Sequence, residues 1–170
     1  ALASALTILG TVMGRRYAFD YNMRANLYIL GLAPSASGKA HVIDSLERIL
    51  TDAGFHENLA GAEPASGAAV RSRLLHQAVS VYAIDEFGMF FESLTGKQAN
   101  PHLRDIIKAW TEIYTKSASI FSDKDRADRK ERPTQTIYEP HLGLFGISSA
   151  ARVWSSITPE NVTDGSLARF

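Results

Sequence analysis

Three short apolar runs divide this chain: Leu27-Tyr28-Ile29-Leu30-Gly31-Leu32, Val79-Ser80-Val81-Tyr82-Ala83-Ile84 and Leu142-Gly143-Leu144-Phe145-Gly146-Ile147. Each is short, apolar and bounded by small or polar residues, which predicts buried strands. Between them the apolar period becomes helical. Val42, Ile43, Leu46, Ile49 and Leu50 share one face of a 3.6-residue repeat that starts after Lys39 and stops at Gly54. After a 61–67 loop, Ser66 is placed to cap a helix running through Leu74 and Leu75. Asn100-Pro101 opens another helix, with Leu103, Ile106, Ile107, Trp110, Ile113 and Tyr114 on one side. Thr158-Pro159-Glu160 starts a further short one, and residues 164–170 close the chain.

Leu2, Leu6, Leu9 and Met13 also recur at helical spacing, which predicts a buried amphipathic helix that packs residues 1–16 on the core. Arg15 and Arg16 follow this apolar stretch instead of preceding it, and the stretch is too short to span a bilayer. Neither a signal peptide nor a membrane partner is expected. Residues 20–24 form a polar turn, and 122–133, dense in charge of both signs, form an exposed loop or hairpin tip. Strands that alternate with helices at these intervals predict an α/β fold with a mainly parallel central sheet flanked by helices. Ligands of such sheets bind where strands end.

At 170 residues the chain suits a single domain, and its start at Ala and stop after a motif-like segment suggest a domain excised from a longer chain. Eighteen basic residues balance eighteen acidic ones, so any nucleic-acid contact has to come from a local patch. Lys124, Arg126, Arg129, Lys130 and Arg132 cluster, but Asp123, Asp125, Asp128 and Glu131 dilute them, which favours a solvated loop over a DNA contact. The absence of cysteine removes disulfides, thiolate metal sites and cysteine nucleophiles, and suits a cytoplasmic protein. His41, His56, His76, His102 and His141 are scattered without ligand spacing. Trp110 and Trp154 lie in apolar helical patterns that suit core positions better than base stacking.

The loop after the first strand carries the first candidate chemistry. Pro34, Ser35, Ala36, Ser37, Gly38, Lys39, Ala40 and His41 lie between a strand and a helix, the context a phosphate-binding loop requires. Small residues let backbone N–H groups curl around phosphate oxygens, and the helix N-terminus adds partial positive charge. Lys39 would reach the β- and γ-phosphates of a nucleotide. Two positions depart from the G-x-x-x-x-G-K-[ST] pattern: Ala33 replaces the first glycine, and Ala40 replaces the Ser/Thr whose oxygen ligates Mg²⁺. A strand–helix turn of small residues with a solvated lysine would carry the same letters.

The second strand ends in Asp85-Glu86. In a Walker B arrangement the aspartate holds Mg²⁺, directly or through water, and the glutamate polarises the attacking water. A strand that leaves the core at a polar turn is the plainer alternative. Order favours chemistry: phosphate loop, one helical excursion, then an acidic strand end.

With these residues in place the chain resembles the P-loop ATPase domains of phage and plasmid primase–helicase-like proteins, which are related to the RecA and AAA+ groups. The resemblance runs nearly end to end: Gly14-Arg15-Arg16, Asn26-Leu27-Tyr28, Ser35-Ala36-Ser37-Gly38-Lys39, Ile84-Asp85-Glu86-Phe87-Gly88 and Asp164-Gly165-Ser166-Leu167-Ala168-Arg169-Phe170. It implies a P-loop NTPase fold, ATP and Mg²⁺ as ligands, and Mg²⁺-dependent hydrolysis. It further implies a ring-type homo-oligomer that acts on single-stranded DNA within a larger parent. Ser148 or Ser149 would then stand where such ATPases keep a polar γ-phosphate sensor, with a helix N-cap as the alternative. Arg169 would act as an arginine finger on a neighbouring subunit, the alternative being a surface ion pair with Asp164. Ala40 keeps two rivals open, a nucleotide-binding module without efficient hydrolysis and a degenerate scaffold. A P-loop small-molecule kinase is a third.

Overall fold

A computed structural model describes residues 2–35, 37–96, 99–122, 135–159, 165 and 167–170. The charged 123–134 segment, Ala36, Glu160, Asp164 and Ser166 lie outside the described residues. The elements follow in the order α1 (Leu2–Met13), β1 (Tyr28–Leu32), α2 (Ala40–Asp52), α3 (Gly67–His76), β2 (Val79–Ile84) and α4 (Phe87–Thr95). Then come α5 (Pro101–Thr115), β3 (Ile120–Ser122), β4 (Thr136–Tyr138), β5 (His141–Ser148) and α6 (Ala150–Ser156). The three expected strands form one parallel sheet in the order β1-β5-β2, and β3 and β4 make a separate antiparallel pair. The loop or hairpin tip expected over 122–133 falls, apart from Ser122 at the end of β3, outside the described residues.

β5 is the middle strand and all eight of its residues are buried. Helices cover both of its faces, so its sequence is continuously apolar instead of alternating with polar residues. Side-chain alternation sorts the strands between two cores. Tyr28, Tyr82, Ile84, Leu142 and Leu144 pack with Val70 and Leu74 of α3, Phe87 and Phe91 of α4, and Ile106, Trp110 and Ile113 of α5. Val81, Ala83, Phe145 and Ile147 face the other way, onto Ile43, Leu46 and Leu50 of α2 and the half-buried Ile8 and Val12 of α1. The result is a three-layer α/β arrangement with a parallel sheet between helices.

The helix caps follow the expected chemistry. Ser66 Oγ accepts the Ala69 N–H at 3.1 Å, and the Asn100 side chain accepts the His102 N–H at 3.0 Å ahead of Pro101. The outer edge of β2 is covered by residues 58–60. Ala60 N–H donates to the Val81 carbonyl at 2.9 Å, and Asn58 Nδ2 donates to that of Val79 at 2.8 Å. Arg73 of α3 holds this segment by donating to Ser80 Oγ and to the Leu59 carbonyl, each at 3.0 Å. On the next layer Arg71, buried in α3, pairs with Asp105 of α5 at 2.5 Å.

Three expectations are corrected. The N-terminal helix packs on the sheet, but with the opposite face: Leu2 and Leu9 are 75% and 57% exposed, whereas Thr7, Gly10 and Thr11 are buried. Small residues win because they allow close approach. A Cβ on Gly10 would lie 2.6 Å from the Ala25 carbonyl oxygen. The buried hydroxyls cost little because each donates back along the helix, Thr7 to the Ala3 carbonyl and Thr11 to that of Thr7. On α2, Ile49 falls outside the buried face of Ile43, Leu46 and Leu50. Trp110 is a core residue as expected, but Trp154 stands exposed on α6. The sequence reading leaves Phe87–Thr95 unassigned, yet Phe87, Phe90, Phe91 and Leu94 form the apolar stripe of a helix. Among the described residues no helix is long and apolar enough to cross a membrane.

At the start of β5 the imidazole of His141 is buried, and neither ring nitrogen has a hydrogen-bond partner among the described residues. Burial, and then the nearby Arg24 charge, lower its pKa from 6.5 to about 4. The unfolded chain binds this proton near pH 6.5 while the folded chain does not, so stability is full above pH 6.5 and declines as pH falls towards 4. The loss expected from this group is about 3 kcal/mol across that window. Urea unfolding of the parent and of His141→Leu between pH 7 and pH 4 tests this: the parent should lose more stability than the variant by about that amount.

Candidate active site at the strand ends

The parallel register brings the chemistry-bearing residues to one edge of the sheet. Leu32, the last residue of β1, pairs with Ser148, the last residue of β5, and Ile84 at the end of β2 pairs with Gly146. The chain leaves β1 into the loop ahead of Lys39 and leaves β2 into Asp85-Glu86, so both exits flank the end of β5. The loop is tied to the middle strand at its root, where Ala33 N–H donates to the Ser148 carbonyl at 3.0 Å.

Pro34, Ser35 and Ser37 are exposed along the loop. Gly38 then turns through φ +74°, a left-handed conformation that glycine takes without steric cost, and α2 begins two residues later. The first turn of α2 contains no acidic side chain, so nothing within it offsets the positive end of the helix dipole. Ala40 supplies no side-chain oxygen. His41 is exposed on α2 with Nε2 3.5 Å from Ser45 Oγ, which directs it along its own helix.

Lys39 turns inward. Its side chain is only 13% exposed, and Nζ lies 3.1 Å from Glu86 Oε1, whose side chain is 49% exposed. Half-burial of this pair makes it stronger than a fully solvated one, because less water screens the attraction. Glu86 adopts φ +47° and ψ +41°, a left-handed backbone that costs a non-glycine residue roughly 1–2 kcal/mol. This kink ends β2 abruptly and lets α4 begin at the next residue. Beside it, Asp85 is exposed, and its Oδ1 accepts the Glu86 N–H at 2.7 Å. Among the described residues no three His, Asp or Glu side chains form a metal-binding group.

Ser148 is fully buried, and its Oγ accepts the Gly88 N–H at 3.2 Å. It therefore braces the first turn of α4 immediately after the acidic pair. Ser149 occupies the N-cap position of α6 but makes no side-chain capping bond. Arg169 finds its partners at the end of α5 and in its own C-terminal segment. Its guanidinium donates to the Gly165 carbonyl and to Thr115 Oγ1, the latter at 3.4 Å, and stands 6.0 Å from the Tyr114 ring centre. Phe170 next to it packs on Tyr28 and Phe87. Thr115 also lines a cleft of about 560 Å³ between α5 and β3, and among the described residues that line it none is a candidate site residue.

Sequence reasoning thus named Lys39, Asp85, Glu86 and Ser148, and the sheet gathers them. It missed the Lys39–Glu86 pair, the left-handed backbone of Glu86 and the bond from Gly88 to Ser148. No residue pattern encodes these, since each depends on which strands are neighbours. Comparison with family models, with curated proteins and with solved structures yields no match.

Removing the Ser148 hydroxyl leaves the buried Gly88 N–H without its acceptor. Ser148→Ala is expected to lose about 1–3 kcal/mol of stability by the usual cost of an unsatisfied buried donor. Thermal and urea unfolding against the parent check this.

Proposed function

We propose that the chain binds ATP at the Lys39 loop and hydrolyses it with Asp85 and Glu86, as a P-loop ATPase. The supporting observation is the Lys39–Glu86 contact at 3.1 Å across the end of β5, where two separate strand exits meet. Crevices at the carboxyl ends of parallel strands are where ligands of such sheets bind. A half-buried ammonium beside a helix N-terminus attracts phosphate, and the small residues of the loop leave room for one.

In this reading the nucleotide phosphates replace Glu86 as the partner of Lys39. Lys39 then holds negative charge at the phosphates, and loop N–H groups share it. The freed Glu86 carboxylate accepts a hydrogen bond from the attacking water and orients it. Asp85, held in place by the Glu86 N–H, is the residue suited to a divalent cation. With Ala40 lacking an oxygen, the protein offers one carboxylate, a set that fits Mg²⁺, which keeps several waters and binds through one or two carboxylates with phosphates. When bound, Mg²⁺ would neutralise charge on the β- and γ-phosphates. Ser148 maintains the position of α4 and thereby of Glu86. By the resemblance, hydrolysis would serve movement on single-stranded DNA in a ring-forming parent, with Arg169 acting between subunits.

Ala40 favours a second reading, a module that binds nucleotide without efficient turnover. Binding and hydrolysis separate the two. Lys39→Ala is expected to weaken ATP affinity about 10- to 100-fold, the effect of losing a charge-assisted phosphate contact. Unchanged affinity, measured by calorimetry with and without Mg²⁺, would sink the nucleotide site. Glu86→Gln removes the anion that competes for Lys39, so ATP should bind several-fold more tightly while turnover falls by about 100-fold or more. Turnover equal in parent and Glu86→Gln would leave binding without the proposed chemistry. Stimulation of hydrolysis by single-stranded DNA marks the motor reading, and transfer of phosphate to a small acceptor marks a kinase.

A further inference from the structure

Between α1 and β1 the chain makes a loop that the nucleotide reading does not use. In residues 15–24, Arg15-Arg16-Tyr17-Ala18-Phe19-Asp20-Tyr21-Asn22-Met23-Arg24, large apolar or aromatic side chains occupy every odd position from 17 to 23. Tyr17, Phe19, Tyr21 and Met23 are all more than half exposed, and Tyr21 is 98% exposed. Arg15 and Arg16 are exposed beside them. Isolated exposed apolar residues need no explanation, but four within seven residues do.

The loop is fixed. Phe19 N–H donates to the Met23 carbonyl at 2.9 Å, and Met23 N–H donates back to that of Asp20 at 3.4 Å. Arg24 closes the neck, donating to the carbonyls of Arg15 and Tyr17 at 3.1 and 3.2 Å and to Glu139 Oε1 at 2.6 Å. Asn22 Nδ2 ties the tip to the Ala118 carbonyl at 3.2 Å. Within this frame Tyr21 and Asn22 both adopt positive φ, 60° and 59°. A tyrosine rarely takes this backbone, and here the strained residue holds its ring in solvent, where burial returns nothing for it.

We propose that this loop is a binding surface for single-stranded nucleic acid. Aromatic rings presented to solvent stack on unpaired bases, and the adjacent arginines meet the phosphates. Charge complementarity favours this occupant over a second protein surface. Arg15 and Arg16 flank the rings with only Asp20 as a counter-charge within residues 15–24, so the surface carries a local excess of positive charge that matches a phosphate backbone. A pre-set loop also lowers the ordering cost of binding. The proposal deepens the DNA-directed part of the reading above by giving it a surface, and it does not depend on the phosphate site.

The test is fluorescence anisotropy of the full chain with labelled oligo-dT and oligo-U of about 20 nucleotides, without ATP and at low salt, with a duplex of equal length as control. Tyr21→Ala and Phe19→Ala should each weaken binding about 5- to 100-fold, whereas Tyr21→Phe, which keeps the ring, should bind like the parent. Combined Arg15→Ala and Arg16→Ala should reduce the slope of log affinity against log salt by about 1.4, the value for two phosphates on a single strand. Tighter binding of either oligonucleotide than of the duplex supports the proposal and identifies the preferred sugar. Lys39→Ala should leave oligonucleotide binding intact, so a failed nucleotide site and a failed loop give different results. No binding by the parent, or equal binding by parent and Tyr21→Ala, overturns the proposal. So does a change in sedimentation of Tyr21→Ala with oligonucleotide binding unchanged, which would assign the loop to contacts between copies.

Discussion

β5 is hydrogen-bonded along both edges and covered on both faces, and the placement of Lys39, Asp85, Glu86 and Ser148 follows from it. Because β1 and β2 flank it in parallel, their carboxyl ends and their exit loops point the same way. Its residues are small where neighbours must come close. A Cβ on Gly146 would meet the Phe87 ring at 2.6 Å, so glycine there lets the first turn of α4 lie against the strand. Ser148 then accepts from Gly88 and fixes the same turn. The acidic pair is thus held between the last residue of β2 and a helix start anchored on the middle strand.

Lys39 and Glu86 meet because of that geometry, and their contact has two sides. It lets a lysine remain largely buried without standing as an uncompensated charge, which would be costly. On the proposed nucleotide reading it would also set a competition, since the phosphates would gain Lys39 by displacing the Glu86 carboxylate. The left-handed Glu86 backbone sits at the junction of strand and helix, where the turn from β2 into α4 holds it in place. Asp85 stays exposed next to it, with Oδ1 accepting the Glu86 N–H.

Much of the fold was legible because its periods are unmixed. The three strands are continuous apolar runs, and α2 and α5 show clear helical stripes with caps whose chemistry is local, as Ser66 and Asn100 demonstrate. α1 was legible as a helix but not in its orientation. Its leucines and its small residues form two opposed stripes, and hydrophobicity alone selects the larger. Packing selected the smaller, because Gly10 admits the Ala25 backbone and the threonine hydroxyls are satisfied within the helix. Trp154 fails for the related reason that an apolar pattern on a short helix does not reveal whether a neighbour covers it.

The candidate site divides along the same line. By itself the sequence determined which residues carry charge and where: a lysine before a helix, an acidic pair after a strand, a serine after another, each readable because strand and helix boundaries are local properties of the chain. Only the tertiary structure decided that β5 lies between β1 and β2, that Lys39 turns inward to Glu86, that Ser148 supports α4, and that Arg169 folds onto Tyr114 and Thr115. The reason is physical. Strand order and side-chain pairing across a sheet arise from contacts between residues distant in sequence, and these exist only once the two cores have formed around the middle strand.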